Sequence, residues 1–259
     1  MKKRKCMEQT KIAFFVEGQG EQVFLRNILF HLLDPSIFSF ECLKLHAGKL
    51  SDVPYKQYNP SAYIHFLIIN VENDSRVLSA IKEREEQLIR KGFVKIIGLR
   101  DMYSQEYDKK AKGKIEPNIT KLILDKTENI ISSMKHSDMI RIHFSIMEIE
   151  AWWLSMYSIF RKIHRKLEVD FIKDSLNYQL NEINTETTFY RPSFILDNIL
   201  NLVEMSYKKK LSDVEKITSK IDKDDIKNGI SNNRCNRFKM FCKEITDCGN
   251  NNSQTASKN

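Results

Sequence analysis

Short apolar runs alternate along this chain with stretches where apolar residues recur every three or four positions. Lys11 to Val16 is brief and almost wholly apolar, which predicts a buried strand. From Glu21 to Leu33 the residues Val23, Phe24, Ile28, Leu29, Leu32 and Leu33 form a helical stripe, and Asp34-Pro35-Ser36 stops it. Phe38 to Leu45 predicts a second strand, closed by His46-Ala47-Gly48-Lys49 and followed by a polar loop from Leu50 to Pro60. Tyr63 to Val71 predicts a third strand. Asn73 or Asp74 is placed to cap a helix over Ser75 to Lys91, which Gly92 ends. Val94 to Leu99 is the fourth predicted strand, Asn118 to Lys135 a helix, and Ile140 to Ile146 the fifth strand. Glu148 to Lys166 reads as one long helix carrying Trp152, Trp153, Tyr157 and Phe160.

Strands alternating with helices predict an α/β fold with a mainly parallel sheet flanked by helices. After Lys166 the strand signal fades, and Pro192 opens a helix over Ser193 to Tyr207. The expected organisation is a basic tail over 1–10, an α/β domain over 11–168, a helical region over 169–247 packed on it, and a disordered polar tail over 248–259.

Composition narrows the class. Hydrophobic residues make up 41% and charged residues 29%, as in a globular chain. No apolar run approaches the roughly 20 residues needed to span a bilayer. The apolar stretch after Met1-Lys2-Lys3-Arg4-Lys5 ends at Glu17, too soon for a secretory signal. The five cysteines are widely spaced without a CxxC pair, which fits a reducing cytoplasm and small core roles for Cys42 and Cys242. A formal net charge of +8 is compatible with a polyanionic partner.

The candidate chemistry lies in carboxylates at strand ends. Glu17 follows the first strand, Asp101 the fourth, and Glu148 and Glu150 the fifth. In a parallel sheet these ends share one edge, where ligands gather. Converging carboxylates repel one another, and a hard divalent cation with oxygen ligands relieves that repulsion. Single acids at helix starts also arise simply from the helix dipole, so the joint arrangement carries the weight. Competing motifs fail. Gly18 and Gly20 lack the third glycine of a dinucleotide loop, no P-loop or Gly-x-Ser-x-Gly occurs, and the six histidines form no metal pair at helical spacing. His46, His65, His136 and His143 read as structural, and the Trp152, Trp153 and Tyr157 rings as core.

Val16-Glu17-Gly18-Gln19-Gly20-Glu21, with Phe24-Leu25 after it, resembles the opening motif of Toprim domains, in particular the small bacterial proteins related to OLD-type nucleases. Leu99-Arg100-Asp101-Met102-Tyr103 is similar to that family's Asp-x-Tyr after a strand. Met147-Glu148-Ile149-Glu150-Ala151-Trp152-Trp153 is similar to its Glu-x-Glu-Ala helix opening. Tyr207-Lys208-Lys209 and Arg234-Cys235-Asn236-Arg237-Phe238 resemble its helical tail, so the likeness covers roughly residues 11 to 245. The resemblance implies a Toprim-like fold, Mg²⁺ or Mn²⁺ as cofactor, Glu17 as metal ligand or general acid/base, and Asp101 as the first acid of an Asp-x-Asp pair. Tyr103 stands where Toprim domains usually carry the second Asp, which leaves Glu148 or Glu150 to replace it and favours one metal over two.

Two functions follow as expectations. One is a metal-dependent nuclease acting on DNA or RNA, the effector of a bacterial anti-phage system with an ATPase partner. Its catalytic and metal residues would be Glu17, Asp101, Glu148 and Glu150, and its phosphate contacts Gly18, Gly20, Lys49, Arg100, Lys208 and Lys209, with Lys210 completing the lysine run. The other is a non-catalytic Toprim-like subunit that binds nucleic acid or a partner ATPase. A further phosphoryl-transfer enzyme acting on a nucleotide finds no base-binding motif.

Overall fold

A computed structural model describes residues 9–72, 76–231 and 234–256. The basic tail before Gln9, the expected helix cap at Asn73 or Asp74, and the last three residues lie outside the described residues. The chain forms β1 (Thr10–Val16), α1 (Gln19–Leu32), β2 (Phe38–His46), β3 (Lys49–Gln57), β4 (Ile64–Asn70), α2 (Val77–Arg90) and β5 (Phe93–Asp101). Then come α3 (Gln105–Ala111), α4 (Pro117–Ser132), β6 (Ile140–Ser145), α5 (Glu150–Ser155), α6 (Ile159–Ile163) and α7 (Val169–Leu176). Helices α8 (Thr185–Thr188), α9 (Pro192–Asn201), α10 (Leu211–Thr218), α11 (Lys223–Ile230) and α12 (Asn236–Ala256) complete the chain.

The six strands form one sheet in the order β3-β2-β4-β1-β5-β6. All neighbours run parallel except β2 and β3. The continuous apolar runs belong to strands buried on both faces, as parallel sheets require. On β1, Ile12, Phe14 and Val16 face a core shared with α1 and the C-terminal helices, while Ala13 and Phe15 face a second core beneath α2. Gly98 of β5 has its Cα against Ile142 and Val77, and a side chain there would collide with both. The C-terminal helices close the first face through aromatic packing. Trp152 stacks on Phe238 at 5.1 Å, and Phe241 meets Phe14 edge-on at 6.3 Å.

Four local expectations are corrected. Residues Leu50 to Pro60 are not simply a loop, because β3 spans Lys49–Gln57 and pairs with β2. It is an edge strand whose outer positions face water, so its polarity hides it, and an edge tolerates Pro54. The long helix over Glu148 to Lys166 is two short ones, α5 and α6. The Ser155 hydroxyl turns back on the Trp152 carbonyl at 2.6 Å where α5 ends. The helix at Pro192 ends at Asn201 rather than Tyr207, with Glu204 left-handed at φ 60°. Helix α12 continues to Ala256, through much of the tail expected to be disordered. Helix α3 has no counterpart in the expected elements. The Ser104 hydroxyl caps it by accepting the Tyr107 N–H at 3.1 Å.

Among the described residues no helix is long and apolar enough to cross a membrane.

Candidate functional site

The carboxyl ends of β1, β5 and β6 lie side by side, since β5 pairs with both of the others. Helix α1 crosses one face of the sheet towards β2, and α2 crosses the other face towards β5. The strand order therefore reverses around β1, and crevices at such reversals collect ligands. A cleft of about 460 Å³ opens at this edge. Its walls include Glu17, Glu21, Asp101 and Glu150, with Lys44, Tyr103, Tyr207 and Lys209 around them.

Backbone geometry holds these groups. Gln22 in the first turn of α1 donates to the Leu43 and Ile68 carbonyls, each at 2.9 Å, which pins that turn over β2 and β4. Gly18 precedes α1, and a Cβ there would come 3.0 Å from a Glu21 carboxylate oxygen. Beyond β5 and β6, the Met102 and Tyr103 N–H groups donate to the Ser145 and Met147 carbonyls, extending the strand pair into the loop before Glu148. Three non-glycine residues around the cleft are left-handed: Glu72 at φ 58°, Met147 at φ 65° and Lys209 at φ 56°. Such conformations cost about 1–3 kcal/mol each and cluster where surrounding contacts enforce them.

The carboxylates have unequal surroundings. Glu17 is buried, and one of its oxygens accepts the Asp101 backbone N–H at 2.9 Å. Asp101 accepts the Ser145 hydroxyl. Burial, then the nearby charges of Glu21 and Glu150, raise the Asp101 pKa well above the ordinary aspartate value. Burial raises Glu21 as well, with Glu150 adding repulsion. Glu150 is raised chiefly by burial; Lys209 opposes that shift and Glu148 adds to it. Its Oε1 accepts the Tyr207 hydroxyl at 2.7 Å and lies 3.4 Å from the Lys209 ammonium. Its Oε2 is buried with no hydrogen-bond partner. Glu148 is already engaged, accepting the Ser193 N–H at 2.8 Å, the Ser193 hydroxyl at 3.0 Å and Lys209 at 2.8 Å. Burial alone would lower the Lys209 pKa, but Glu150 and Glu148 outweigh it and the net shift is upward.

The structure thus brings Glu17, Asp101 and Glu150 to one cleft and turns Glu148 outward to the start of α9. Among the described residues, no three His, Cys, Asp or Glu side chains are gathered closely enough to hold a metal ion between them. The donors present still suit Mg²⁺, which typically keeps several waters and takes only one or two carboxylates from the protein. Glu150 Oε2, buried and unpartnered, is the kind of oxygen such an ion would satisfy.

The expected phosphate contacts separate. Gly18 and Gly20 line the cleft, and Lys209 enters it. Lys208 instead pairs with Asp197 at 2.9 Å. Lys49 sits exposed at the β2–β3 turn, and Lys210 is exposed just before α10. Arg100 projects to the opposite face of the sheet, its guanidinium 5.2 Å from the Phe144 ring centroid. Three contributors escaped the sequence reasoning. Glu21 stands in the sequence as a helix start and as the last residue of the Toprim-like motif, with no site role assigned to it. Lys44 carried no motif, and Tyr207 was placed inside a helix.

No curated protein and no solved structure matches the chain. A family described as a domain of unknown function (DUF4276) matches residues 16–246, and the protein belongs to that family.

Proposed function

We propose that the protein is a Mg²⁺- or Mn²⁺-dependent nuclease that hydrolyses phosphodiester bonds of DNA or RNA. One observation carries this reading: Glu21, Asp101 and Glu150 converge at the carboxyl edge of a parallel sheet with raised pKa values, and Glu150 keeps a buried oxygen unpartnered. A site built to be stable by itself would pair those acids, whereas a site awaiting a cation leaves them in conflict. Asp101 and Glu150 would hold the ion, with water completing its shell, while Glu17 accepts the Asp101 backbone N–H beside them. When bound, it would supply Lewis acidity towards a phosphoryl oxygen and an activated water. Lys209 enters on a fixed left-handed backbone and offers positive charge to a phosphate, with Lys44 on another wall of the cleft. Gln22 holds the first turn of α1, and with it Glu21, against the sheet.

The resemblance to Toprim proteins supports the same chemistry. It also suggests a bacterial anti-phage effector working with an ATPase, in the cytoplasm. Buried free thiols at Cys42, Cys235, Cys242 and Cys248 fit a reducing compartment.

A second reading has its own support. Because Lys209 already reaches Glu148 and Glu150, the cluster is partly neutralised without metal, as in a non-catalytic subunit that binds nucleic acid or a partner ATPase. Calorimetry with Mn²⁺ separates the two. The nuclease reading expects Mn²⁺ binding by the wild type, cleavage of labelled nucleic acid, and a loss of cleavage of at least about 10²-fold in Asp101→Asn with the fold retained. Unchanged cleavage in Asp101→Asn would overturn the site, and a wild type that binds no Mn²⁺ at millimolar concentration would leave the binding-subunit reading.

A further inference from the structure

The acidic cleft adjoins a second hollow of about 330 Å³, and Tyr103 and Tyr207 line both. Arg191 and Phe194 stand on the far side of this hollow, at the start of α9. Phe194 is 59% exposed, while Tyr103 is half-buried and Tyr207 buried, so Phe194 is the ring of this hollow most open to water. Arg191, also exposed, puts a guanidinium beside it. The hollow is held in place relative to the acids. Glu148, bound by Lys209 on one side, accepts both the backbone N–H and the hydroxyl of Ser193 on the other. Tyr103 is steadied edge-on against Tyr190 at 6.0 Å.

An exposed aromatic face, a neighbouring arginine and an adjoining site for a phosphate are the elements of single-strand recognition. Bases stack on aromatic rings whatever their sequence, and cations track the backbone. We propose that this hollow binds an unstacked base of a single-stranded nucleic acid. The base would rest on Phe194, Arg191 would meet a flanking phosphate, and the next phosphodiester would lie in the acidic cleft. A duplex keeps its base faces covered and offers Phe194 nothing to stack on. The inference rests on the nucleic-acid reading of the cleft and adds to it a preference for unpaired strands.

The test uses the full chain and a fluorescein-labelled oligothymidylate of about twelve nucleotides, with a duplex of the same length beside it. Anisotropy is read in EDTA, so that no metal is required. The wild type is expected to bind the single strand more tightly than the duplex. Phe194→Ala should weaken single-strand binding about tenfold and leave duplex binding unchanged, while Phe194→Trp restores it. Arg191→Ala should weaken the same binding and flatten its salt dependence. A wild type without single-strand preference, or a Phe194→Ala variant that binds like the wild type, would overturn the inference. Strand binding that depends on Phe194 in a protein that takes up no Mn²⁺ would support the hollow and overturn only the metal reading. Mn²⁺ uptake without strand binding would do the reverse.

Discussion

Two buried glutamates, one bonded to the Trp152 indole and the other on the same helix as that ring, meet opposite conditions. Glu186 accepts the Trp152 indole N–H at 2.9 Å and the Arg237 and Phe238 backbone N–H groups at 3.1 and 3.3 Å. It caps the start of α12 and fastens that helix to α5. Burial raises its pKa, and these hydrogen bonds pull it back. Glu150 lies two residues before Trp152, with one oxygen bound by Tyr207 and the other without a partner. Its neighbours include the further acids Glu148 and Glu21 beside the Lys209 ammonium. The first carboxylate is used up by the fold, whereas the second keeps one oxygen without a partner. Burial of an acid therefore says little about function until its donors are counted.

Substitution tests that contrast most strongly. Glu186→Ala leaves the Trp152 indole and two N–H groups at the start of α12 without an acceptor. A loss of about 3 kcal/mol in urea unfolding is expected. Glu150→Gln, measured in EDTA, should change stability by less than about 1 kcal/mol, since it removes a repelled charge and keeps an acceptor for Tyr207. Equal losses in the two variants would erase the distinction between a structural and a functional acid.

Lys209 gives the next effect. It is the cation nearest Glu148 and Glu150, and its side chain remains 49% exposed. Replacing it with methionine strands those acids, so metal-free stability should fall by about 1–2 kcal/mol, less than for a fully buried pair because water still reaches the site. Saturating Mn²⁺ should return most of that loss. If it does not, the cluster is no cation site.

A smaller effect appears with pH. Glu21, Asp101 and Glu150 have folded pKa values above their unfolded ones, so each stabilises the fold most when protonated. That contribution is complete below the unfolded range near pH 4 and is lost as pH climbs through the raised values. Glu244 has the opposite sign. The His143 imidazole 3.6 Å away, aided by Lys95, holds it down to about 2, so its contribution is present at neutral pH and disappears as acid is added towards that value. Between about pH 5 and about pH 8 in EDTA, the wild type should lose more stability than Asp101→Asn. Parallel curves would mean that Asp101 does not titrate as its surroundings require.

How much of this could be read beforehand follows from the same physics. Apolar runs mark β1, β4 and β5, and partial alternation marks β6, so these strands and the acids after β1, β5 and β6 were legible. The edge strand β3 was not, because its outer positions face water and read as a loop. Glu17, Asp101 and Glu150 were found by their place after strands. Glu148 was found by the same rule, yet the local turn with Met147 left-handed sends its side chain to Ser193. Tyr207 and Lys209 arrive from a segment far along the chain, where no periodicity shows that it returns to the sheet edge.

The smallest expected effect separates two adjacent residues. Lys208 and Lys209 look alike in the sequence, but Lys208 pairs with Asp197 on the surface, its side chain 59% exposed, while Lys209 enters the cleft. An exposed ion pair is worth about 0.2–1 kcal/mol and is screened by salt. Lys208→Ala should therefore cost no more than about 0.5 kcal/mol, vanish in high salt, and leave Mn²⁺ affinity unchanged. The left-handed backbone at Lys209 is what turns one lysine inward beside a neighbour that stays outside. If Lys208→Ala disturbs Mn²⁺ binding as much as Lys209→Met does, the two side chains act as one diffuse positive patch, and the fixed entry of Lys209 has no special role.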